Sequence, residues 1–418
     1  MRIGVRNSFR RNVWIILAIG CFIIYTVTFF LTENPFSAIH SGRAVYDSVY
    51  KSDVWTINTA YSMFLILVFV TALSFLYHRK LTVYKFELLF VSVLLVISIF
   101  NGSTFNNTRS TIFNLLSILC VFRLVNIQLS VNDEGSIAPV VKLWKLVTAL
   151  LVFGIILAIA QPNRYGLFNL GFSRITRGEL TYWLLLGLHI WGITLSLVVY
   201  TYCRKMSCWV VIGLIIFTQV AFANRMGLII VCMPVLFYLF FMTKTNKKIV
   251  IVIAVIVFTY SQWDSIMGIF TAGNDISNIS GILNGRDKLW MFYTEKILEH
   301  PLIGGGLNLS SSDSYTGGAF SEIGVLKIFG EYGIFVGCLQ LSAIILGFVK
   351  AIKMLMNTGK SMNDTSPVDL TMSFFVIANF FPFIMESYAR ILSFTDLFAW
   401  FSLYYVLFRN PLLSGKGK

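Results

Sequence analysis

The residues best suited to chemistry in this sequence are arginines that lie between long apolar segments. A guanidinium group presents a planar fork of N–H donors and stays charged at neutral pH, so it binds phosphate through two hydrogen bonds. If they gather on one side of the protein, six of these arginines form a site for a phosphate or diphosphate group. They are Arg164, Arg174, Arg177, Arg225, Arg286 and Arg390.

Carboxylates near the expected ends of apolar segments are the candidates for accepting a proton. Glu322 is the first choice, with Glu386 or Asp313 as the second. A carboxylate at the edge of a membrane is poorly solvated and accepts a proton more readily than one in water. Glu331 either orients Lys327, one helical turn before it, or acts directly.

The sequence predicts no metal, cofactor or nucleotide site. Its four histidines are dispersed and lack the spacing of metal ligands. No Asp-x-Asp pair is present to hold a metal-bound nucleotide sugar, and no serine lies in a nucleophile elbow. Any enzyme built on these residues is expected to work without a metal and without a nucleotide donor.

The composition places these side chains in a membrane. Of 418 residues, 57% are hydrophobic and only 12% are charged, and the mean hydropathy is +0.77. These values exclude a disordered chain, a disulfide-built secreted domain and a typical water-soluble enzyme. The net charge of +14 does not indicate nucleic acid, because the basic residues are scattered over short loops. Membrane lipids are the expected surroundings.

Apolar segments long enough to cross a membrane divide the whole chain. A helix needs about 20 residues to cross a ~30 Å hydrocarbon layer. The sequence therefore predicts an all-α polytopic membrane protein, a single domain over residues 1–418, with about twelve transmembrane helices. The segments are 13–31, 58–77, 86–100, 111–129, 143–160, 181–201, 208–223, 228–243, 249–261, 322–347, 368–385 and 395–408.

The basic residues of the loops predict the orientation. With both termini in the cytoplasm, twenty Lys and Arg residues lie in inner loops and eleven in outer loops, as the positive-inside rule requires. Eight of the outer eleven are Arg, against seven of the inner twenty. This preference predicts phosphate binding on the outer face. For any single arginine, pairing with an outer acid or a lipid headgroup is the simpler alternative.

The largest outer loop, residues 261–321, contains its own predicted helix at 285–299. Leu289, Phe292, Tyr293 and Ile297 share one face of it. Pro301 and the three glycines from Gly304 are expected to end the helix, which would lie on the outer membrane surface. The Gly- and Ser-rich stretch 307–318 is suited to a mobile flap over a site.

Four motifs follow one another in the second half of the chain: Asn224-Arg225-Met226-Gly227, Gly285-Arg286 with Trp290, Pro301-Leu302-Ile303-Gly304-Gly305-Gly306, and Glu331-Tyr332-Gly333-Ile334-Phe335-Val336-Gly337. In order, spacing and shared outer side they resemble the superfamily of O-antigen polymerases (Wzy-type) and O-antigen ligases. The resemblance covers roughly residues 220–340. It implies a GT-C-like glycosyltransferase of the bacterial inner membrane, with its active site facing the periplasm.

The resemblance also implies a substrate and roles for particular residues. The donor would be an undecaprenyl-pyrophosphate-linked glycan, and Arg225 and Arg286 match the family's phosphate-binding arginines. The other four arginines are added from their outer position alone. Attack from one face would make the reaction inverting, and a chain-length regulator protein is an expected partner.

Three alternatives accompany the polymerase interpretation. In the ligase branch of the family, a His lies nine residues before the Glu of the Glu-Tyr-Gly motif. Here Glu322 occupies that position, which favours a repeat-unit polymerase over a ligase that transfers glycan to lipid A-core. A twelve-span flippase or carrier would show two related halves, and the sequence has no such repeat. An inert structural protein leaves the outer arginines unexplained.

Overall fold

The computed structural model describes twelve stretches of the chain, and everything below refers to them. They are residues 12–32, 64–75, 105–130, 136–160, 179–221, 225–243, 260, 286–302, 304, 324–360, 365–385 and 394–409. Within them the regular structure is entirely helical and no strand occurs. The eleven helices are α1 Val13–Thr32, α2 Phe64–Phe75, α3 Phe105–Leu129, α4 Ala138–Ala160, α5 Glu179–Cys203, α6 Ser207–Ala221, α7 Arg225–Met242, α8 Arg286–Glu299, α9 Gly324–Lys360, α10 Pro367–Met385 and α11 Phe394–Phe408.

The helical character expected from the sequence is confirmed. Ten of the twelve predicted segments coincide with a helix. Of the other two, 86–100 lies outside the described residues and 249–261 is described only at Tyr260. Three helices are long and apolar enough to cross a membrane: Ala138–Ile156, Gly324–Gly359 and Pro367–Ile384. The described part of the chain therefore has the character of a helical membrane protein, while twelve spans and their orientation stay predictions.

Two helix boundaries differ from the prediction for the same physical reason. Helix α9 continues to Lys360 instead of ending at residue 347, and α4 begins at Ala138 instead of residue 143. Lysines were expected to mark loops, yet Lys is a good helix former whose long side chain can reach away from the apolar layer. Lys350 illustrates this, since its Nζ donates a hydrogen bond to the carbonyl oxygen of Leu407, 2.5 Å away.

Neighbouring helices alternate in direction, which separates the connecting segments into two ends. α9 and α10 are antiparallel, because the Phe348 and Phe380 rings stack 4.0 Å apart while Thr358 donates to Thr365 at 2.9 Å. The C-terminal ends of α5, α7, α9 and α11 meet at one end of the bundle. We call it the basic end, because it carries Lys142, Lys145, Arg204, Lys205, Lys353 and Arg409.

Helix α10 lies at the centre of the bundle, against α5, α7, α9 and α11. Beside it, the indole of Trp191 meets the ring of Phe375 at 4.5 Å and that of Phe398 at 4.6 Å. Close approach of the helices depends on small residues, as is usual in membranes. A Cβ on Gly192 would lie 2.5 Å from the Leu151 side chain of α4 and 2.8 Å from that of Ile215 in α6.

Candidate functional site

Helix α8 packs against the first half of α9 at the end of the bundle opposite the basic end. The predicted helix at 285–299 is thus confirmed, with bounds Arg286–Glu299. Its apolar face turns toward protein, since Phe292 and Tyr293 are buried while Met291 and Leu298 are exposed. The burial of these two aromatic side chains supplies much of the free energy that docks this fourteen-residue helix onto α9.

The turn that ends α8 enters a break in α9. Gly333 has φ 80° and ψ 179°, a conformation that only glycine adopts at little cost. The break removes the N–H of Ile334 from the hydrogen-bond ladder of α9. That N–H donates instead to the carbonyl oxygen of Pro301, 2.8 Å away. A backbone donor that α9 cannot satisfy is therefore satisfied by the turn after α8.

Gly304 makes the closest contact of this turn with α9. Its φ is 75°, and its N–H donates to the carbonyl oxygen of His300 at 2.9 Å. A Cβ at this position would lie 2.5 Å from the carbonyl carbon and oxygen of Glu331 and 2.6 Å from the nitrogen of Gly333. Two of the four sequence motifs thus meet through their backbones. We call this contact of Pro301 and Gly304 with Glu331, Gly333 and Ile334 the α8–α9 junction.

Two charged side chains lie buried just before the break. Lys327 is 7% exposed and Glu331 is fully buried, and both have interaction partners in the structure. They are one helical turn apart, as the sequence spacing predicted. Because an isolated charge is costly to bury, the interaction partners of Lys327 and Glu331 stabilise this turn of α9 beside the α8–α9 junction.

Arg225 and Arg286 each occupy the first position of a helix, α7 and α8 respectively. Helix α7 runs in the same direction as α9: the Phe237 ring lies 5.8 Å from that of Phe348, and a Cβ on Gly359 would lie 2.3 Å from the Phe241 carbonyl oxygen. The backbone of Arg225 is therefore at the same end of the bundle as the α8–α9 junction. No acidic residue occupies the first turn of α7.

A helix N-terminus exposes unpaired N–H groups and a partial positive charge, so it favours an anion and disfavours a cation. An arginine there becomes favourable when an anion lies beside it.

No protein-family model matches the chain, and no curated protein matches it either. The candidate site is therefore defined by these residues alone.

Most of the predicted catalytic and phosphate-binding residues lie outside the described residues. Of Arg225 and Arg286, the structure describes only the backbone. The roles proposed for all nine residues stay predictions. The seven that are not described are Glu322, Glu386, Asp313, Arg390, Arg164, Arg174 and Arg177.

The basic end holds a buried ion pair that the sequence interpretation missed. Asp369, near the start of α10, contacts Arg409 just after α11, with Arg409 Nε 3.1 Å from Oδ1. Tyr405 donates its hydroxyl proton to the same Oδ1 at 2.6 Å. Burial by itself lowers the pKa of Arg409, but Tyr405 and Asp369 outweigh that effect and the pKa is raised. This pair fastens the end of α11 to α10.

A local signal for Asp369 does exist in the sequence. Ser366-Pro367-Val368-Asp369 has a capping residue, a proline in the first helical position and an acid two residues later. In the structure the N–H of Asp369 donates to Ser366 Oγ at 3.1 Å. Neighbouring contacts extend the network, because the Tyr202 hydroxyl donates to the carbonyl oxygen of Thr365 at 2.5 Å.

His189 is an interior hydrogen-bonded residue. It is buried on α5, with Nε2 3.0 Å from Thr218 Oγ1, and Nδ1 contacts the side-chain amide of Gln219. Polar side chains within a membrane bundle form hydrogen bonds between helices, because the surrounding lipid offers them no partner. The triad connects α5 with α6.

Proposed function

We propose that the protein is a polymerase of lipid-linked oligosaccharide repeat units, such as those of O-antigen or a similar surface polysaccharide. In this proposal it transfers the growing glycan from undecaprenyl pyrophosphate to an acceptor repeat unit on the periplasmic face. The observation that supports it most is the α8–α9 junction. It joins the Pro301–Gly306 motif to the Glu331–Gly337 motif, at the end of the bundle where α7 begins within the Asn224–Gly227 motif.

The proposed reaction breaks the bond between the sugar C1 and the pyrophosphate oxygen and forms a bond from C1 to an acceptor hydroxyl oxygen. Negative charge develops on the departing diphosphate. Arg225 and Arg286 stabilise it through charge-assisted hydrogen bonds, aided by the helix N-termini that carry them. Glu322 accepts the proton of the acceptor hydroxyl, with Glu386 or Asp313 as the alternative. Attack opposite the leaving group inverts the configuration at C1.

The α8–α9 junction serves this reaction by position. Arg286 begins the helix whose other end is docked at Gly333, so the docking limits where its backbone can move. A misplacement of about 1 Å costs a catalytic group on the order of a hundredfold in rate. For Arg225 of α7 and Arg286 of α8 to bind the same diphosphate, α8 must therefore be held rigidly against α9.

Deleting the gene and separating the surface polysaccharide on a gel tests the proposal. Loss of a polymerase leaves lipid A-core that carries single repeat units. The ligase alternative predicts bare core, and a flippase or carrier predicts that lipid-linked repeat units accumulate on the cytoplasmic face. An unchanged ladder in the deletion strain, with expression of the intact gene verified in the parent, would remove all three interpretations.

A further inference from the structure

Helix α4 carries a groove of about 500 Å³ on its outer face. Trp144, Phe153 and Ile156 line it together with Ala149, whose small side chain leaves room between them. Trp144 is held in place, because its indole N–H donates to Ser196 Oγ of α5 at 2.9 Å. Among the described residues, every side chain that lines the groove belongs to α4.

One end of the groove is charged and the other is apolar. Lys145 lines it near the basic end, and Lys142 lies one turn earlier on the same face; both are exposed. Toward the middle of the helix, Val152, Phe153 and Ile156 are exposed. From Lys145 to Ile156, at about 1.5 Å a residue, the groove is roughly 16 Å long. That is about half of a ~30 Å hydrocarbon layer, the depth that one acyl chain spans.

We propose that the groove binds one anionic phospholipid. Its headgroup phosphate lies between Lys145 and Lys142, and an acyl chain follows Val152, Phe153 and Ile156. Charge complementarity selects an anionic headgroup. The order of charge and apolar surface along α4 matches the order of headgroup and acyl chain along a phospholipid.

The experiment uses the full-length protein, purified and supplied with phosphatidylglycerol or, separately, with zwitterionic phosphatidylcholine. Native mass spectrometry counts the lipid that stays bound. The wild-type protein is expected to retain one phosphatidylglycerol in preference to phosphatidylcholine. Lys145→Gln lowers retention about fivefold, the loss expected for one basic residue at a membrane surface. Ala149→Leu fills the groove and abolishes retention.

Matched controls separate a specific groove from general lipid adsorption. Lys353→Gln removes an exposed lysine at the same basic end. Gly213→Leu places a leucine side chain on α6, where a Cβ would meet nothing within 4 Å. Both should retain phosphatidylglycerol like the wild-type protein. The proposal is overturned if Lys145→Gln and Ala149→Leu also do so while keeping the wild-type melting temperature, or if both lipids are retained equally. Should Ala149→Leu fail to fold, Lys145→Gln alone decides the proposal.

Discussion

The backbone N–H of Ile334 in α9 donates a hydrogen bond to the carbonyl oxygen of Pro301, which follows α8, over 2.8 Å. The two residues are far apart in sequence and belong to different motifs. Their bond exists because Gly333 interrupts α9 and leaves a donor that the helix cannot satisfy. It follows that α8 and the first half of α9 are one structural unit, and that a change on either side of the bond affects both.

Replacing Gly304 by Ala should detach α8 from α9. The new Cβ would overlap the Glu331 backbone at 2.5 Å, and a φ of 75° adds about 1–2 kcal/mol for a residue other than glycine. We expect a lower melting temperature in detergent and faster amide hydrogen exchange in residues 286–299. In cells the polysaccharide ladder should shorten, because Arg286 is no longer held.

The same substitution at Gly213 is the control, since a Cβ there has open space and Ala is favoured over Gly in a helix by about 1 kcal/mol. Gly213→Ala should leave stability unchanged or raise it. A further check combines Gly304→Ala with Gly333→Ala. Because both residues belong to the α8–α9 junction, the double variant should lose less stability than the sum of the single losses. Strict additivity would show that the two glycines act separately.

The helices of this protein were predictable because, in a chain this hydrophobic, an apolar run of about twenty residues has few stable structures other than a membrane-spanning helix. The ends of α4 and α9 were not, because Lys142, Lys350 and Lys353 lie inside helices that were expected to exclude them. The sequence marked Gly304 and Gly333 as parts of two motifs. It could not show that they touch, because that contact depends on how the loop folds back onto α9.

Asp369 shows a second limit of sequence reasoning. Its partner Arg409 is forty residues away and was counted only as a cytoplasmic topology signal. Local periodicity carries no information on pairing between residues that distant in sequence. The capping pattern around Ser366 predicts where α10 starts, but not that the carboxylate faces Arg409 and Tyr405. Sites formed between helices require the packing of those helices to be known.

Replacing Asp369 by Asn should destabilise the basic end strongly. The ion pair is nearly enclosed, with the Arg409 and Asp369 side chains 13% and 8% exposed. Removing one partner of a buried pair costs about 3–5 kcal/mol, because the other charge is left uncompensated. We expect a clear drop in melting temperature, measured on the purified protein. The double variant Asp369→Asn with Arg409→Met should recover part of the loss, since it removes the orphaned charge.

Tyr405→Phe is the milder companion of that experiment. It deletes the hydroxyl that donates to Asp369 and leaves the ion pair intact, so its cost should be about 1.5–3 kcal/mol at most. If Asp369→Asn were no more destabilising than Tyr405→Phe, the carboxylate charge would contribute nothing beyond its hydrogen bond. In that case the pair with Arg409 would not be what fastens α11 to α10.

Replacing Arg225 or Arg286 by Lys tests the proposed diphosphate clamp. Lys keeps the charge and loses the fork, so a bidentate contact becomes a single one. Loss of one charge-assisted hydrogen bond, about 1.5–3 kcal/mol, corresponds to a fall in polymerisation rate of roughly ten- to a hundredfold. Arg204→Lys at the basic end is the matched control and should polymerise normally. Normal chain length in well-expressed Arg225→Lys and Arg286→Lys strains would mean that these forks do not bind the leaving group.

Comparing Glu322→Gln with Glu331→Gln should distinguish a role in proton transfer from a role in stability. In the proposed reaction Glu322 accepts the proton of the acceptor hydroxyl. The Glu322→Gln variant should therefore slow turnover by at least about a hundredfold without lowering the melting temperature. Glu331 is fully buried beneath the α8–α9 junction, and its amide should lower the melting temperature because a buried charge network is altered. Wild-type turnover of Glu322→Gln would remove that residue as the base. A Glu331→Gln variant that is inactive but fully stable would instead identify Glu331 as the residue that acts on the substrate.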